Sequence, residues 1–378
     1  MTSRRRFLLQ SGALGIGLLT GCGTSAAPTT TPVRVAAARP TKVAFVYLGP
    51  ISDTGWTWSH EQGRRALEQA LPNRVATVYK ENVPEDPILA EAAIREFAKQ
   101  GHDVIVATSF GYLQPTLAVA KDYPQTTFVH VSGDTTAPNV STAFGKIEEP
   151  RYVSGLVVGR LTKTNTVGYI AAFPIPEVVR GINAFTLGLR KTNPAATVKV
   201  TWTNTWYDPA KERAAAEALL DAGADIMAQH QDTTAAMEAA KERGKLSIGY
   251  HSDIALRAPA TVITSVAWNW GKFYTGMVEQ YRAGTWKNTQ YWGGWREGVV
   301  DLGVWGSMIT DELRLFAAGE ITKFQTGQQS IYTIFGGPLK DQSGAVRVPA
   351  GVTLTDAELL SMNWLVEGVV GVLPPKQG

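Results

Sequence analysis

The feature that most constrains the fold is the alternation of short apolar, strand-like runs with stretches of helical periodicity. In the stretch 86–100, for example, Leu89, Ala93 and Phe97 recur at helical spacing and share one side of a helix. The strand-like runs lie at 42–49, 76–81, 103–108 and 127–131, and then again at 166–173, 198–206, 225–229 and 246–250. Such alternation predicts βαβ units and a parallel sheet, and two successive sets predict two α/β lobes.

The boundary between the two sets falls near 144–149, where the alternation starts again. After Trp206, Asp208 and Pro209 form an N-cap followed by a first-turn proline, which predicts the start of a helix. Helices are also expected near 58–71 and at 271–283, whereas the glycine- and tryptophan-rich stretch 292–305 favours strands or loops.

Composition and charge narrow the class of partner. The chain has 378 residues, 44% of them hydrophobic and 18% charged, which is typical of a globular protein of about two domains. Its net charge of +3 equals the charge of Arg4, Arg5 and Arg6, so the remaining chain carries 33 residues of each sign. A neutral body without a basic patch argues against nucleic-acid binding and favours a small ligand of low charge.

The first 22 residues have the pattern of an export signal. Arg4–Arg6 precede an apolar stretch that is too short to span a bilayer, and the SRRRFL stretch resembles a twin-arginine signal. The LTGC stretch that ends at Cys22 resembles a lipobox, and Cys22 is the only cysteine. We therefore expect a lipidated Cys22, a flexible tether over 23–40 rich in Thr, Ala and Pro, and a body held at a membrane outside the cytoplasm.

Candidate site residues follow the predicted strands. In open α/β sheets, ligands bind beyond the carboxyl ends of the strands, and aromatic and carboxylate side chains recur at those positions here. Aromatic faces combined with a few hydrogen-bonding groups suit a flat heterocycle or a sugar ring. The expected ligand-binding residues are Asp53, Trp56, Phe110, Phe173, Trp206, Asp232, Asp253 and Trp268.

Other interpretations of these residues remain open. A carboxylate that follows a strand can cap the next helix, which applies to Asp53, Asp232 and Asp253 alike. The pairs His230/Asp232 and His251/Asp253 could ligate a metal, and Asp53 or Asp134 could serve as a general base. The sequence after the signal contains no Walker A, G-x-S-x-G, H-E-x-x-H or G-x-G-x-x-G motif, so we expect no catalytic residue, metal or cofactor.

Five stretches carry a family resemblance. They are ISDTGWTWSHEQGR at 51–64, GHDVIVATSFGY at 101–112, GYIAAFPIPEVVRGINAFTLGLR at 168–190, NTWYDPAKE at 204–212 and ADIMAQHQDTTAAMEAA at 224–240. In these stretches the chain resembles the basic membrane protein family of lipoproteins, the substrate-binding components of certain ABC importers. The resemblance covers about 42–305.

The resemblance implies a type I periplasmic-binding-protein fold, with two lobes, three hinge crossings and a ligand in the cleft. Lobe 1 would hold 41–146 and about 267–290, and lobe 2 would hold 147–266 and part of 291–378. Asp53 matches the family's first-loop aspartate, Trp56 or Trp58 the aromatic after it, Phe173 the aromatic after the fifth strand, and Ser252-Asp253 the late S-D pair.

The resemblance also implies a purine ligand, a permease and an ATPase as partners, and a monomeric receptor. Members with similar FPIPEVV and NTWYDP stretches bind adenine-type bases. The first loop here, Asp53-Thr54-Gly55-Trp56-Thr57, departs from the D-x-S-F-N of nucleoside-binding members, which favours a free base. A purine nucleoside hydrolase, a sugar receptor and a ligand-sensing lipoprotein remain alternatives on the same scaffold.

Overall fold

The computed structural model describes residues 39–375. The expected export signal, the lipobox Cys22 and nearly all of the expected tether over 23–40 lie outside the described residues. Within 39–375 no helix is long and apolar enough to cross a membrane.

The first sheet forms the centre of lobe 1, which we define as the elements packed around that sheet. Its strands are mutually parallel in the order β11-β5-β4-β3-β1-β2, and β11 enters from much later in the chain. The consecutive elements are β1 (Thr41–Val46), α1 (Trp56–Ala70), β2 (Val75–Lys80), α2 (Pro87–Lys99), β3 (Val104–Ala107), α3 (Leu113–Asp122), β4 (Thr127–Val131) and β5 (Val140–Gly145).

The second sheet defines lobe 2 in the same way. The elements that follow β5 are α4 (Glu148–Leu161), β6 (Thr166–Ala171), α5 (Pro176–Thr192), β7 (Thr197–Trp202), α6 (Pro209–Asp221), β8 (Ile226–His230), α7 (Ala235–Glu242), β9 (Leu246–His251) and β10 (Val262–Trp268). The sheet order is β12-β10-β9-β8-β6-β7-β15, and β12 alone runs antiparallel to its neighbour.

The chain passes between the two sheets three times. It leaves the first sheet between Gly145 and Glu148, and it returns after β10 through α8 (Trp270–Ala283), which packs against α1, and β11 (Gln290–Gly293). It crosses again to β12 (Val300–Leu302). The elements that follow β12 in the sequence are α9 (Asp311–Gln325), α10 (Ile331–Ile334), β13 (Leu339–Lys340), β14 (Val346–Val348), α11 (Asp356–Leu360) and β15 (Val369–Val370).

Local chemistry explains where several helices begin. The Asp86 carboxylate accepts hydrogen bonds from the N–H groups of Ile88 and Leu89, and Pro87 occupies the first turn of α2. Asp208 caps α6 in the same way and is also followed by a proline, as the sequence predicts. The central strands are buried along their whole length, because helices cover both faces of each parallel sheet.

The expected α/β fold with parallel sheets is confirmed, and several element bounds differ from the expectation. The strand expected at 198–206 ends at Trp202, so that Trp206 lies in a loop, and α1 begins at Trp56 rather than near residue 58. The loops after β1 and β3, and those after β6 and β8, lie where the strand order reverses. This reversal places the ligand crevice of an open α/β sheet there in both lobes.

Candidate functional site

The carboxyl ends of the two sheets meet around an inner cavity. Both lobes contribute to its wall. Lobe 1 provides Leu48, Trp56, Ser109, Phe110, Ser132 and Phe144, and lobe 2 provides Glu177, Trp206, His230, Asp232, Tyr250 and His251.

Trp56 is the main aromatic surface of the lobe 1 wall. It is the first residue of α1, and its indole N–H donates to the carbonyl oxygen of Thr108. The ring is held edge-on against its neighbours, with its centroid 5.6 Å from those of His251 and Trp268. Because its one polar atom is already bonded to the backbone, Trp56 offers a ligand only its ring.

Asp53 acts first as a helix cap. Its Oδ1 accepts from the N–H groups of Gly55 and Trp58 at 2.8 and 2.9 Å, and its Oδ2 accepts from that of Thr57 at 3.0 Å. Burial, with the nearby Asp232 carboxyl, raises the pKa of Asp53 to about 6. These bonds explain why α1 begins two residues earlier than the sequence pattern suggests.

On the lobe 2 side, Asp232, His251 and Trp268 form a chain of polar contacts. His251 Nε2 lies 2.9 Å from Asp232 Oδ1, and His251 Nδ1 accepts a hydrogen bond of 3.0 Å from the Trp268 indole N–H. An indole N–H can only donate, so the neutral imidazole carries its proton on Nε2, which lies close to Asp232 without an aligned hydrogen bond to it. Burial lowers the pKa of His251 and raises that of Asp232, each well away from its ordinary value.

Glu177 and His230 complete the polar part of the wall. Glu177 lies in the first turn of α5, and burial raises its pKa to about 8 against the opposing effect of Arg180. His230 Nε2 lies 3.3 Å from the Tyr250 hydroxyl, and burial lowers the pKa of His230 well below its ordinary value. Burial therefore favours the uncharged forms of Glu177 and His230, each of which can both donate and accept hydrogen bonds.

A second, outer cavity of about 1080 Å³ shares Leu48, Trp206 and Asp232 with the inner one. Asp53 and Phe173 line this outer space, and the Phe173 ring lies 5.0 Å from the Trp206 ring between centroids. It forms the mouth of the cleft.

Glu85, in the loop after β2, ties the two lobes together at that mouth. Its Oε1 accepts from the Ser109 hydroxyl at 2.6 Å and from the Gly111 N–H at 2.7 Å, both in lobe 1. Its Oε2 accepts from the Trp206 indole N–H of lobe 2 at 3.2 Å. Glu85 therefore holds a lobe 2 ring in a fixed position relative to lobe 1.

Two further contacts bring the lobes together beside the cavity. The Ser252 hydroxyl donates to the Thr54 carbonyl oxygen at 2.5 Å. The Gly55 backbone approaches lobe 2 so closely that a Cβ at this position would lie 2.2 Å from the Asp232 carbonyl oxygen. A side chain larger than that of glycine is therefore excluded at residue 55 while the lobes are in contact.

The loops around the cleft hold an unusual backbone conformation. Five non-glycine residues that end or follow strands at this edge have φ between +53° and +72°: Thr54, Asn82, Ser132, Asn204 and His251. Such conformations cost about 1–3 kcal/mol each and persist only where surrounding contacts impose them. The loops that carry the site are therefore held in one arrangement by the fold.

The structure brings six of the eight expected site residues to the cleft. Trp56, Phe110, Trp206 and Asp232 line the inner cavity, and Asp53 and Phe173 line the outer one. Trp268 lines neither of these two spaces and contacts His251 instead. Asp253 also lies elsewhere: its Oδ2 accepts from the Val304 N–H, and the Gly303 backbone packs against its Oδ1.

Sequence reasoning missed Glu177, Tyr250 and Glu85, and it considered His230 and His251 only as metal ligands. The signal for the two histidines was present, since each ends a strand next to an expected site residue. Within residues 39–375 no three His, Cys, Asp or Glu side chains are grouped to hold a metal ion.

Comparison with known proteins places the chain in a family. A family model described as an ABC transporter substrate-binding protein, PnrA-like (Bmp), matches residues 40–331. A purine-binding protein of Brucella abortus is 41% identical over 333 residues, which cover 88% of this chain and 94% of that protein. A putative ABC transporter glucose-binding protein of Haloferax volcanii is 38% identical over 338 residues, which cover 82% and 85%.

A solved structure supports the same assignment. The ABC transporter solute-binding protein of Conexibacter woesei superposes with a TM-score of 0.64 at 25% identity, over 77% of this chain and 98% of that one. Together with the two sheets and the cleft between them, this likeness identifies a type I periplasmic-binding-protein fold. The chain belongs to the Bmp family of PnrA-like ABC transporter substrate-binding proteins.

Proposed function

We propose that the chain is the receptor of an ABC importer for a purine base of the adenine type. The observation that carries the proposal is that aromatic rings from both lobes line the inner cavity next to the carboxyl groups of Asp232 and Glu177. The sequence similarity to a purine-binding protein supports the same ligand class. A permease and an ATPase would receive the base from the receptor.

The rings suit the faces of a planar heterocycle. Trp56, Phe110 and Phe144 come from lobe 1, and Trp206 and Tyr250 come from lobe 2. Aromatic contacts of this kind add about 0.5–1.5 kcal/mol per pair beyond the burial of area. A base that touches rings on both lobes stabilises the arrangement in which the lobes meet, which is how a hinged receptor closes on its ligand.

The polar groups suit the edge of the base. Asp232, Glu177 and His230 can donate or accept according to protonation or tautomer, and a purine edge alternates ring nitrogens with N–H groups. A site that hydrogen-bonds its ligand rejects an analogue that leaves a buried polar group unpaired. We therefore expect the lobe 2 wall to distinguish adenine from hypoxanthine and guanine.

A sugar receptor is the second candidate, favoured by the similarity to a putative glucose-binding protein. Carboxylates beside aromatic rings also suit ring hydroxyls. The two candidates require different protonation states of the carboxyl groups. A sugar hydroxyl is held best by an ionised carboxylate, whereas the ring nitrogens of a base can accept from a protonated carboxyl group. The raised pKa values of Asp232 and Glu177 favour the base.

The location and assembly of the receptor are also part of the proposal. Substrate-binding proteins of this family are extracytoplasmic. We propose that Cys22 is lipidated and anchors a monomer to the membrane, and that the protein binds its ligand without catalysis. Replacement of Cys22 by alanine would then release the protein from the membrane fraction, and adenosine incubated with the protein would yield no free base.

The test is a binding panel on the full chain after unfolding and refolding to remove any carried ligand. Calorimetry and thermal unfolding would compare adenine, hypoxanthine, guanine, adenosine, ribose and glucose. Ligand at 100 times its dissociation constant stabilises by about 2.7 kcal/mol. We expect adenine to bind more tightly than adenosine and glucose to have no effect. Stabilisation by glucose alone would replace the purine proposal with the sugar one.

A further inference from the structure

Arg151, in α4, is a buried cation without an ion-pair partner among the described residues. Its side chain is 0% exposed, and within residues 39–375 no acceptor is aligned with any of its three guanidinium nitrogens. The guanidinium instead lies over the Tyr250 ring, 4.0 Å from the ring centroid. A buried charge is costly unless it is paired, so Arg151 requires a compensating group.

Arg180 shows what a compensated cation looks like in the same region. Its Nε donates to Glu148 Oε1 at 2.7 Å, and its Nη1 donates to the Leu359 carbonyl oxygen at 3.1 Å. Arg180 engages only Oε1 of the neighbouring Glu148, whose Oε2 has no hydrogen-bonding partner among the described residues, and no carboxylate of the described chain lies within ion-pair distance of Arg151.

A small space beside Gly181 collects three polar atoms. A Cβ built on Gly181 would have three nearest neighbours: Arg151 Nε at 3.7 Å, and His230 Nδ1 and the Tyr169 hydroxyl at 3.8 Å each. All three atoms are buried, and none has a hydrogen-bonding partner among the described residues. They come from α4, β8 and β6, so three separate elements direct unpaired polar groups at one methyl-sized space.

We propose that the space between Arg151, Tyr169, His230 and Gly181 binds a single halide ion, with chloride as the natural occupant. Arg151 supplies the charge, and the hydroxyl of Tyr169 and the Nδ1–H of His230 donate hydrogen bonds. The three polar atoms converge 3.7–3.8 Å from the position of a Cβ on Gly181, so an ion in contact with all three would lie just beyond that position. This inference does not depend on which ligand occupies the inner cavity.

The surrounding charges agree with a monovalent anion. Arg180 and Glu148 balance each other, and burial lowers the pKa of both His230 and His251, which leaves them neutral. Glu177 lies one helical turn before Gly181, and burial raises its pKa to about 8, so at pH 7 it is mostly uncharged. One positive charge, that of Arg151, is left for the ion.

The ion also selects a histidine tautomer. When His230 carries its proton on Nδ1, its Nε2 accepts from the Tyr250 hydroxyl, which lies 3.3 Å away. Tyr250 and His230 both line the inner cavity, so the halide would lie directly behind the ligand-binding wall. It would then fix which atoms of His230 and Tyr250 face the ligand.

The experiment measures thermal unfolding of the purine-free full chain at pH 7 in chloride, bromide or gluconate at equal ionic strength. We expect chloride and bromide to raise Tm by roughly 3–6 °C relative to gluconate as their concentration increases from 1 to 100 mM. A Gly181→Ala variant fills the space with a methyl group at ordinary contact distances, so it should fold and lose this halide response.

Two controls keep the result specific. Gly276→Ala, on α8, adds a methyl group where nothing lies within 4 Å, and it should keep the full halide response. Crystals of the unchanged protein grown in bromide should show anomalous scattering beside Gly181. This measurement tests halide binding independently if Gly181→Ala does not fold. Equal Tm in halide and gluconate, a full response in Gly181→Ala, or a water molecule in place of bromide would each overturn the proposal.

Discussion

The two walls of the inner cavity differ in chemistry although they come from lobes of the same architecture. The lobe 1 wall consists of Leu48, three aromatic rings and two serines, and it contains no group that titrates near neutral pH. The lobe 2 wall contains Glu177, His230, Asp232 and His251 in addition to two aromatic rings. The same strand order therefore positions packing surfaces on one side and hydrogen-bonding groups on the other.

This difference indicates that the two walls make different contributions to binding. Ring contacts accept any planar base, because every planar base has a face that can stack on a ring. Buried hydrogen bonds distinguish one base from another, because a polar group left without a partner is costly. We therefore expect substitutions in lobe 1 to weaken all planar ligands in parallel, and substitutions in lobe 2 to change their order of preference.

The largest expected effect comes from Asp232. Asp232→Ala removes a buried hydrogen-bonding group from the cavity wall, and we expect adenine affinity to fall about 30- to 100-fold, the usual cost of an unpaired buried partner. Isothermal titration of adenine, hypoxanthine and guanine measures the change, and the order of the three bases should change as well.

Two control variants test whether the effect of Asp232→Ala is specific to the lobe 2 wall. Phe110→Ala, in lobe 1, should weaken the three bases by similar factors and keep their order. Asp253→Asn should leave adenine affinity within twofold, since the Asp253 carboxylate accepts from Val304 rather than lining either cavity of the cleft. An Asp232→Ala affinity within threefold of the unchanged protein would remove Asp232 from the site.

A smaller effect is the pH dependence of stability that Glu177 of lobe 2 should cause. Burial raises the pKa of Glu177 from 4.5 to about 8, so the folded state keeps a proton that the unfolded chain releases between these values. The stability that this proton contributes is fully present below pH 4.5 and is lost as the pH rises through 8. Thermal unfolding between pH 5 and 9 should therefore show Tm falling as the pH rises.

Glu177→Gln separates this residue from other buried carboxyl groups. Burial also raises the pKa of Glu149 and of Glu212, each to about 7, so part of the decline in Tm should remain in the variant. We expect the Tm of the variant to decline less steeply between pH 5 and 7 and to lose most of its decline between pH 7 and 8. Parallel Tm profiles for the variant and the unchanged protein would show that Glu177 does not retain its proton.

The smallest effect concerns the contact that joins the lobes. Trp206→Phe keeps an aromatic ring but removes the hydrogen bond to Glu85 across the cleft. One net hydrogen bond is worth about 0.5–1.5 kcal/mol, so adenine affinity should fall about threefold to tenfold, mainly through faster dissociation. Stopped-flow measurement of tryptophan fluorescence would separate the two rates.

Trp202→Phe is the matched control for that variant. It removes an indole hydrogen bond of 3.0 Å to the Val372 carbonyl oxygen, which remains within lobe 2. Its adenine dissociation rate should equal that of the unchanged protein. Equal changes in both variants would mean that the Trp206 contact does not hold the lobes together.

The carboxyl-end rule located four of the expected site residues at the cleft, and their contact with the ligand stays a prediction. Trp56, Phe110, Trp206 and Asp232 follow strands at the edge where the parallel sheets meet, and all four line the inner cavity. The same rule placed Asp253 there. However, the chain turns at His251, whose φ is +68°, and Asp253 contacts the segment after β12 instead.

Other site residues could not be found from local pattern. Glu85 follows the edge strand β2, and its role depends on Trp206, 121 residues later. Trp268 was expected to contact the ligand because it ends a strand, yet its indole N–H donates to His251. Which neighbour a side chain reaches depends on how the two lobes are placed, and that is a property of long-range packing.

The sequence by itself determined the βαβ alternation, the two lobes and the loops that could hold a ligand, because apolar periodicity and the carboxyl-end rule act over short segments. Only the tertiary structure decided the protonation and the partners of the polar groups. Burial favours the protonated form of Glu177, the Trp268 indole places the proton of His251 on Nε2, and Arg151 is buried without a carboxylate partner within the described chain. The physical reason is that desolvation and hydrogen-bond geometry depend on everything that surrounds a group, and residues far apart in the sequence supply most of those surroundings.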